Sequence, residues 1–189
     1  GGGKKADDST SVRRGFFERV AKEARLIFKD QMPLVLCGPG MAREQFETHL
    51  RGQGAQNQIL NTATSIGGRP AANEVLAEGL ADSVLGEHAL IQQVRAIEDG
   101  LKRISTGGAV SYGPTEIAEA AKQGAVETLV IEASMLRSAD SEARERWTGI
   151  AGAVESSGGR LIQASVDHDS GQHLLGFGGA IALLRWKTE

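Results

Sequence analysis

Tyr112-Gly-Pro-Thr-Glu-Ile-Ala-Glu-Ala-Ala-Lys-Gln-Gly-Ala-Val-Glu-Thr-Leu-Val-Ile131 decides the fold. A Gly-Pro turn opens it, with Thr115 expected as the N-cap. Ile117, Ala118, Ala120 and Ala121 then recur at helical spacing, and Gly124 stands where a helix C-cap glycine belongs. Ala125 to Ile131 follows as a loosely alternating run ending on two β-branched residues, the pattern of a strand buried within a sheet. Apolar spacing predicts a second helix behind it, over Glu142 to Ser156. A helix feeding a buried strand, backed by another helix, is an α/β layered unit.

Working outward, Gly158-Gly159 closes that second helix, and Arg160 to Val166 reads as the next strand. Asp167 to His173 turns the chain, and Ala180 to Trp186 reads as a final apolar strand. Ser83 to Ile104 forms a long helix carrying Leu85, Ala89, Ile91, Val94, Ile97 and Leu101. Its start marks the expected boundary between two small α/β domains, 1–82 and 83–189, the second with helices on both faces of its sheet. In the first domain, Gly1 to Ser11 is glycine and charge and is expected to be a mobile loop. Val12 to Phe28 is a helix with Phe16, Val20, Ala24 and Ile27 on its inner face and Ser11 as a possible cap. Pro33 to Cys37 is a strand, Met41 to Leu50 a helix, Gln58 to Thr64 a strand, Ser65 to Pro70 a loop, and Ala72 to Ala81 a helix.

Composition bounds the function. The 189 residues carry a net charge of -3, so no overall basicity marks a nucleic-acid binder. The charge is unevenly spread: residues 1–30 hold eight Lys/Arg against five Asp/Glu, and the region after Val84 holds ten against fourteen. Cys37 is the single cysteine, which excludes an intrachain disulfide and suits a reducing compartment. No apolar run approaches the roughly 20 residues of a membrane span, and no signal peptide is visible, so a cytoplasmic protein without membrane contact is expected. The chain opens on Gly1 without an initiator Met and therefore reads as a fragment.

Local chemistry is sparse. Gly38-Pro39-Gly40 sits between a strand and a helix but lacks Gly-Lys-Ser/Thr and Gly-x-Gly-x-x-Gly, so it is a structural turn, as is Gly113-Pro114. Asp167, His168, Asp169 and His173 do not have the spacing of a metal site and read as turn-capping and surface groups. No Gly-x-Ser-x-Gly elbow occurs. Neither a catalytic constellation nor a cofactor or metal site is expected. Arg13, Arg14, Arg19, Lys22 and Arg25 line a helix, either as a solvated face or as a phosphate-contacting surface.

Taken as an ordered set, Gly15-Phe-Phe-Glu-Arg-Val20, Gly38-Pro-Gly-Met-Ala-Arg-Glu-Gln-Phe46, Thr64-Ser-Ile-Gly-Gly-Arg-Pro70 and Asn73-Glu-Val-Leu76 resemble the central domain of archaeal Pelota. Pelota is the ribosome-rescue relative of the class-one release factor of archaea and eukaryotes. Tyr112-Gly-Pro114, Gly124 to Ile131, Met135-Leu-Arg137, Ser157-Gly-Gly-Arg160, His168-x-x-Gly171 and Gly178 to Trp186 resemble its C-terminal domain. The resemblance covers essentially the whole chain. It implies a C-terminal α/β/α sandwich like kink-turn-binding ribosomal proteins.

The resemblance also implies a factor for mRNA surveillance, in no-go and non-stop decay. Its implied partners are the stalled ribosome, an elongation-factor-one-alpha type GTPase in its GTP form, and an ABC-type ATPase that drives subunit dissociation. Lys4, Lys5, Arg13 and Arg14 become candidate contacts with rRNA or the GTPase, through a basic central-domain loop, in a protein expected to be a monomer. The Gly-Gly-Gln of release factors is absent from the chain, so peptide release is not expected, and the chain is not expected to be an enzyme. Any endonuclease activity of the family would belong to an N-terminal domain outside this sequence. Met41 stands where the family usually has Phe and is expected to fill the same apolar pocket. The alternatives are a class-one release factor hydrolysing peptidyl-tRNA, and a stand-alone kink-turn RNA binder, which the acidic second half opposes.

Overall fold

The computed structural model describes residues 3–29 and 31–188, with 3–8 as backbone. The chain forms two compact units, residues 1–88 and 89–189.

The first unit begins with α1 (Gly3–Arg25), then β1 (Leu34–Gly38), α2 (Ala42–Gly52), β2 (Ile59–Ala63) and α3 (Arg69–Ala77). β1 and β2 pair in parallel with Leu34 opposite Ile59. Parallel neighbours need a crossover, and α2 supplies it.

Three expectations are corrected here. The glycine-rich start is helical from Gly3 rather than a loop, so Ser11 lies within α1 and is not its N-cap. Lys and Ala are good helix formers, and propagation from an anchored turn costs far less than nucleation. The inner face of α1 is Phe17 and Ala21, both buried, whereas Phe16 is 53% and Ile27 82% exposed. The reason is α2: Phe17 meets Phe46 with ring centroids 5.4 Å apart, and α1 ends at Arg25 before Ile27. α3 begins at Arg69 because Gly68, at φ 72°, ends the loop and Pro70 pre-sets the first turn.

α4 (Asp82–Thr106) crosses the division between units, which falls between His88 and Ala89. Its first turns belong with the first unit: Val84 is buried, and Gln58 Nε2 donates to Glu87 Oε2 at 3.3 Å. Leu85 and Ile91, read from sequence as part of the apolar stripe of α4, are 44% and 47% exposed.

The second unit continues with β3 (Val110–Tyr112), α5 (Pro114–Lys122), β4 (Val126–Glu132), a 3-10 turn (Ala133–Arg137), α6 (Ser141–Ser156), β5 (Arg160–Ala164), α7 (Asp169–Leu175) and β6 (Ala180–Leu184). Strand order is β3-β6-β4-β5, with β4 parallel to β5 and β6 antiparallel to both its neighbours. It is an α/β/α sandwich. Alternation along the central strands sends Leu129, Ile131, Ala180, Ala182 and Leu184 to one face, where Ile117 of α5 and Trp147, Ile150 and Val154 of α6 cover them. Val130, Ile181 and Leu183 point the other way, against Ile97 of α4 and Leu174 of α7. Both faces are covered, so β6 is buried at every residue and β4 is buried at Val126 and from Thr128 to Ile131.

The cap of α5 differs from the sequence reading. Gly113, at φ 85°, is the N-cap and Pro114 opens the helix, which places Thr115 inside the first turn. Proline fixes its own φ for N1, and the left-handed conformation before it is one only glycine adopts without strain. Gly124, at φ 68°, follows the C-terminus, and the Ala125 N–H returns to the Ala120 carbonyl at 2.9 Å.

Candidate functional site

The first unit concentrates positive charge on α1. Thr10, Arg13, Arg14 and Phe17 occupy positions i, i+3, i+4 and i+7, and therefore share one side of that helix. Gln45, Thr48 and His49 repeat i, i+3, i+4 on α2. These two stripes line a shallow depression of about 400 Å³. Arg13, midway along α1, donates to Gln45 Oε1 at 3.0 Å, and Arg25, its last residue, donates to the carbonyl of Gln53, the C-cap of α2, at 3.2 Å, so the second half of α1 is tied to α2 at two points. Below the groove, His49 stacks on Phe46 at 6.3 Å with the ring planes 14° apart, and Phe17 lies 6.0 Å from it. His49 Nε2 is buried with no hydrogen-bond partner among the described residues.

Of the residues singled out in the sequence, Arg13 and Arg14 lie at this groove. Arg14 also pairs with Glu18 at 3.4 Å, an exposed i, i+4 contact of small energetic weight. Lys4 and Lys5 belong to α1 rather than to a loop, and their side chains lie outside the described residues. Gln45, Thr48 and His49 do not stand out in the sequence, because nothing within the Met41–Leu50 stretch shows which side of the helix meets α1. Their spacing against Thr10, Arg13 and Arg14 was the available signal.

Gly38, Pro39 and Gly40 form the turn from β1 into α2, with Gly38 at φ 148° and Gly40 at φ 71°. Arg43 binds it from inside, its guanidinium donating to the Gly38 carbonyl at 3.3 Å and to the Gly40 carbonyl. Met41 fills no pocket: it is 63% exposed, so the expectation for it is corrected. Beside this turn, Glu74 accepts from the Ser65 hydroxyl at 2.7 Å and the Ser65 N–H at 2.8 Å. The Ser65 hydroxyl, then its N–H, holds the Glu74 carboxyl below its ordinary value of 4.5, only partly offset by desolvation.

In the second unit, the Asp167–His173 segment caps a helix. His168 Nδ1 accepts from the Gly171 N–H at 3.1 Å, which leaves Nε2 as the protonated nitrogen, facing Gln93 Oε1 at 3.2 Å. Gln93 Oε1 also accepts from the Ser165 N–H at 3.0 Å. Gly171 has no room for a side chain: a Cβ there would lie 2.1 Å from the Ser165 carbonyl oxygen. The His168-x-x-Gly171 motif is thus a packing and capping device. Among the described residues no three His, Cys, Asp or Glu side chains gather as a metal site, and no helix is long and apolar enough to cross a membrane.

Residues 90–188 match the family model eRF1 domain 3, and the chain belongs to that family, as a counterpart of the central and C-terminal region of archaeal Pelota. The Pelota homologue of Methanoculleus marisnigri is 33% identical over 191 residues, covering all of this chain and 53% of the relative. A model of ribosome-bound archaeal Pelota and ABCE1 matches with a TM-score of 0.64 at 31% identity, covering 93% of this chain and 50% of that one. The crystal structure of Archaeoglobus fulgidus Pelota matches with a TM-score of 0.52 at 29% identity, covering 92% and 54%. The chain spans about half the length of the relatives it matches.

Proposed function

We propose that the chain is the central and C-terminal part of a cytoplasmic ribosome-rescue factor. The observation that carries this reading is similarity along the whole chain to Pelota, one of whose solved relatives is bound to the ribosome with ABCE1. The first unit carries the basic helix α1, which supports contact with rRNA or with a GTP-loaded GTPase of the elongation-factor-one-alpha type. The second unit is acidic, which supports protein partners, the same GTPase and then the ABC-type ATPase that separates the subunits. Surveillance of stalled messages follows from that sequence of partners. Peptide hydrolysis through Gly-Gly-Gln has no counterpart in these residues. The two domains of this reading are 1–82 and 83–189, acting as a monomer.

Lys4, Lys5, Arg13 and Arg14 are the proposed contacts. Each neutralised phosphate contributes a slope of about -0.9 to the dependence of log affinity on log salt. Replacing all four with Ala should weaken pelleting with archaeal ribosomes by at least about tenfold at moderate salt and flatten the salt dependence. Unchanged pelleting and slope would count against it.

A further inference from the structure

We propose that one end of the second unit's sheet binds single-stranded RNA, with a base stacked on the Trp186 indole and the flanking phosphates on Arg160, Arg185 and Lys187. The proposal rests on the rescue-factor reading only for taking RNA rather than DNA as the strand. β6 runs opposite to β3, β4 and β5, so its carboxyl end lies with their amino ends. Arg185, Trp186 and Lys187 leave the sheet there, and Arg160 opens β5 there. Hydrogen bonds fix the place. The Arg185 N–H donates to the Ala125 carbonyl at 2.8 Å, and its guanidinium donates to the Ser157 carbonyl at 2.9 Å, which takes one of five such donors. Lys122, the last residue of α5, stands three residues before Ala125.

In a half of the chain that is acidic overall, this end collects cations. Lys122, Arg160, Arg185 and Lys187 are all exposed, and none forms an ion pair among the described residues, although Glu127 of β4 and Glu155 of α6 lie at the same end. Helix C-termini account for Lys122, in the last turn of α5, and for Arg185, bonded to the C-cap of α6; Arg160 and Lys187 serve neither. Charge alone does not name the ligand, since a carboxylate presents the same two oxygens as a phosphate. Two observations do. Arg160 on β5 and Arg185 beyond β6 have β4 between them, about 10 Å across two strand spacings, so no single anion bridges them and the ligand is a polyanion. Trp186 is 49% exposed between Arg185 and Lys187, and it lines neither the depression over α1 and α2 nor a second one over α5 and α6. A flat indole outside any pocket suits a base, which stacks by its π-face, better than a peptide side chain, which needs a pocket to fill. Bases in a duplex are already stacked on one another, so the strand is single.

The test is quenching of Trp186 emission as a short oligouridine is titrated into this chain at several salt concentrations. Trp147 is buried and contributes a constant background, so the signal reports this end of the second unit and not α1. Saturable quenching is expected, and Trp186→Phe should abolish it. Arg160→Gln and Lys187→Gln, both at exposed positions, should each weaken binding about 3- to 5-fold and lower the salt slope by about 0.7, the single-strand value. Arg13→Gln and Arg14→Gln should leave the quenching midpoint where it is. Circular dichroism checks that each variant is folded. Absence of quenching would overturn the proposal, as would Arg160→Gln and Lys187→Gln proteins that are quenched as the parent is. Displacement of the RNA by polyglutamate at equal charge would do the same, as the mark of an acidic protein partner. Ribosome pelleting separates the two ideas. Pelleting kept without quenching refutes this site and leaves the rescue-factor reading standing; quenching kept in a chain that does not pellet supports this site and counts against that reading.

Discussion

Gly171 gives the sharpest quantitative expectation. It lies in the first turn of α7, packed so closely on the preceding loop that a methyl group would stand 2.1 Å from the Ser165 carbonyl oxygen and 2.8 Å from Val166 Cα. Both are backbone atoms, so no rotamer change relieves the clash. Restoring ordinary contact requires the loop to retreat by roughly 1 Å or more. That movement would strain two bonds at once: Gly171 N–H to His168 Nδ1, and Ser165 N–H to Gln93 Oε1.

Overpacking of this kind costs about 1–3 kcal/mol, and a clash with backbone belongs at the top, so about 3 kcal/mol is expected for Gly171→Ala. In a unit of this size each kcal/mol moves the melting temperature by about 4–8 °C, giving a fall of about 12–24 °C. Gly149→Ala is the matched control. Nothing lies within 4 Å of its added Cβ, and it sits exposed in α6, where Ala is favoured over Gly by about 0.5–1 kcal/mol. Thermal unfolding followed by Trp147 fluorescence, in a Trp186→Phe background, reads both, because Trp147 is buried in this unit and Trp186 is 49% exposed. A Gly171→Ala protein that melts within a few degrees of the parent would refute the packing argument.

Three further expectations concern stability. Asn57 is 2% exposed and its Nδ2 donates to the Lys29 and Met32 carbonyls at 2.9 and 2.8 Å, so Asn57→Ala should cost about 2–4 kcal/mol by urea denaturation; a loss below 1 kcal/mol, the lower bound for an unmet buried group, would argue against the clamp. Arg103 donates to the Ala109 and Leu184 carbonyls at 3.0 and 3.1 Å, tying α4 to the start of β3 and the end of β6, and Arg103→Met should cost about 1.5–3 kcal/mol on the same assay. Glu74 is held below its ordinary value by Ser65, so its stabilising contribution is fully present above pH 4.5 and is lost as the pH falls through its lower folded value. Glu74→Gln should therefore be less stable than the parent at neutral pH, with the gap closing in acid; a gap that is constant with pH would contradict the role of the charge.

Where the chain buries both faces of a strand, the sequence is explicit. Ala180 to Leu184 reads as a strand because two helix layers leave no polar position in it, and Val126 to Ile131 does so because only Glu127 of its residues is left exposed. The Gly-Pro turn and Gly124 likewise announce the two ends of α5. β3 was not legible, since three residues with one buried serine carry no periodicity of their own and are a strand only because β6 pairs with them.

In the first unit the inner face of α1 was misjudged, since Phe16 and Phe17 are adjacent and only the position of α2 decides which is buried. The same ambiguity hid the groove. Arg13 and Arg14 were visible as charges, but Gln45, Thr48 and His49 acquire meaning only from the helix opposite. The His168-x-x-Gly171 motif was legible as a pattern, and its cause, a carbonyl 2.1 Å from any added Cβ, was not.

The central claim, that these two units serve a GTPase-delivered rescue factor, is tested most directly by calorimetric titration of the chain into archaeal elongation factor one alpha. The GTPase is loaded in turn with a non-hydrolysable GTP analogue and with GDP. The account predicts saturable one-to-one binding to the GTP form, at least about tenfold tighter than to the GDP form, a difference of about 1.4 kcal/mol. Equal affinity for both forms, or no heat of binding with either, would contradict it.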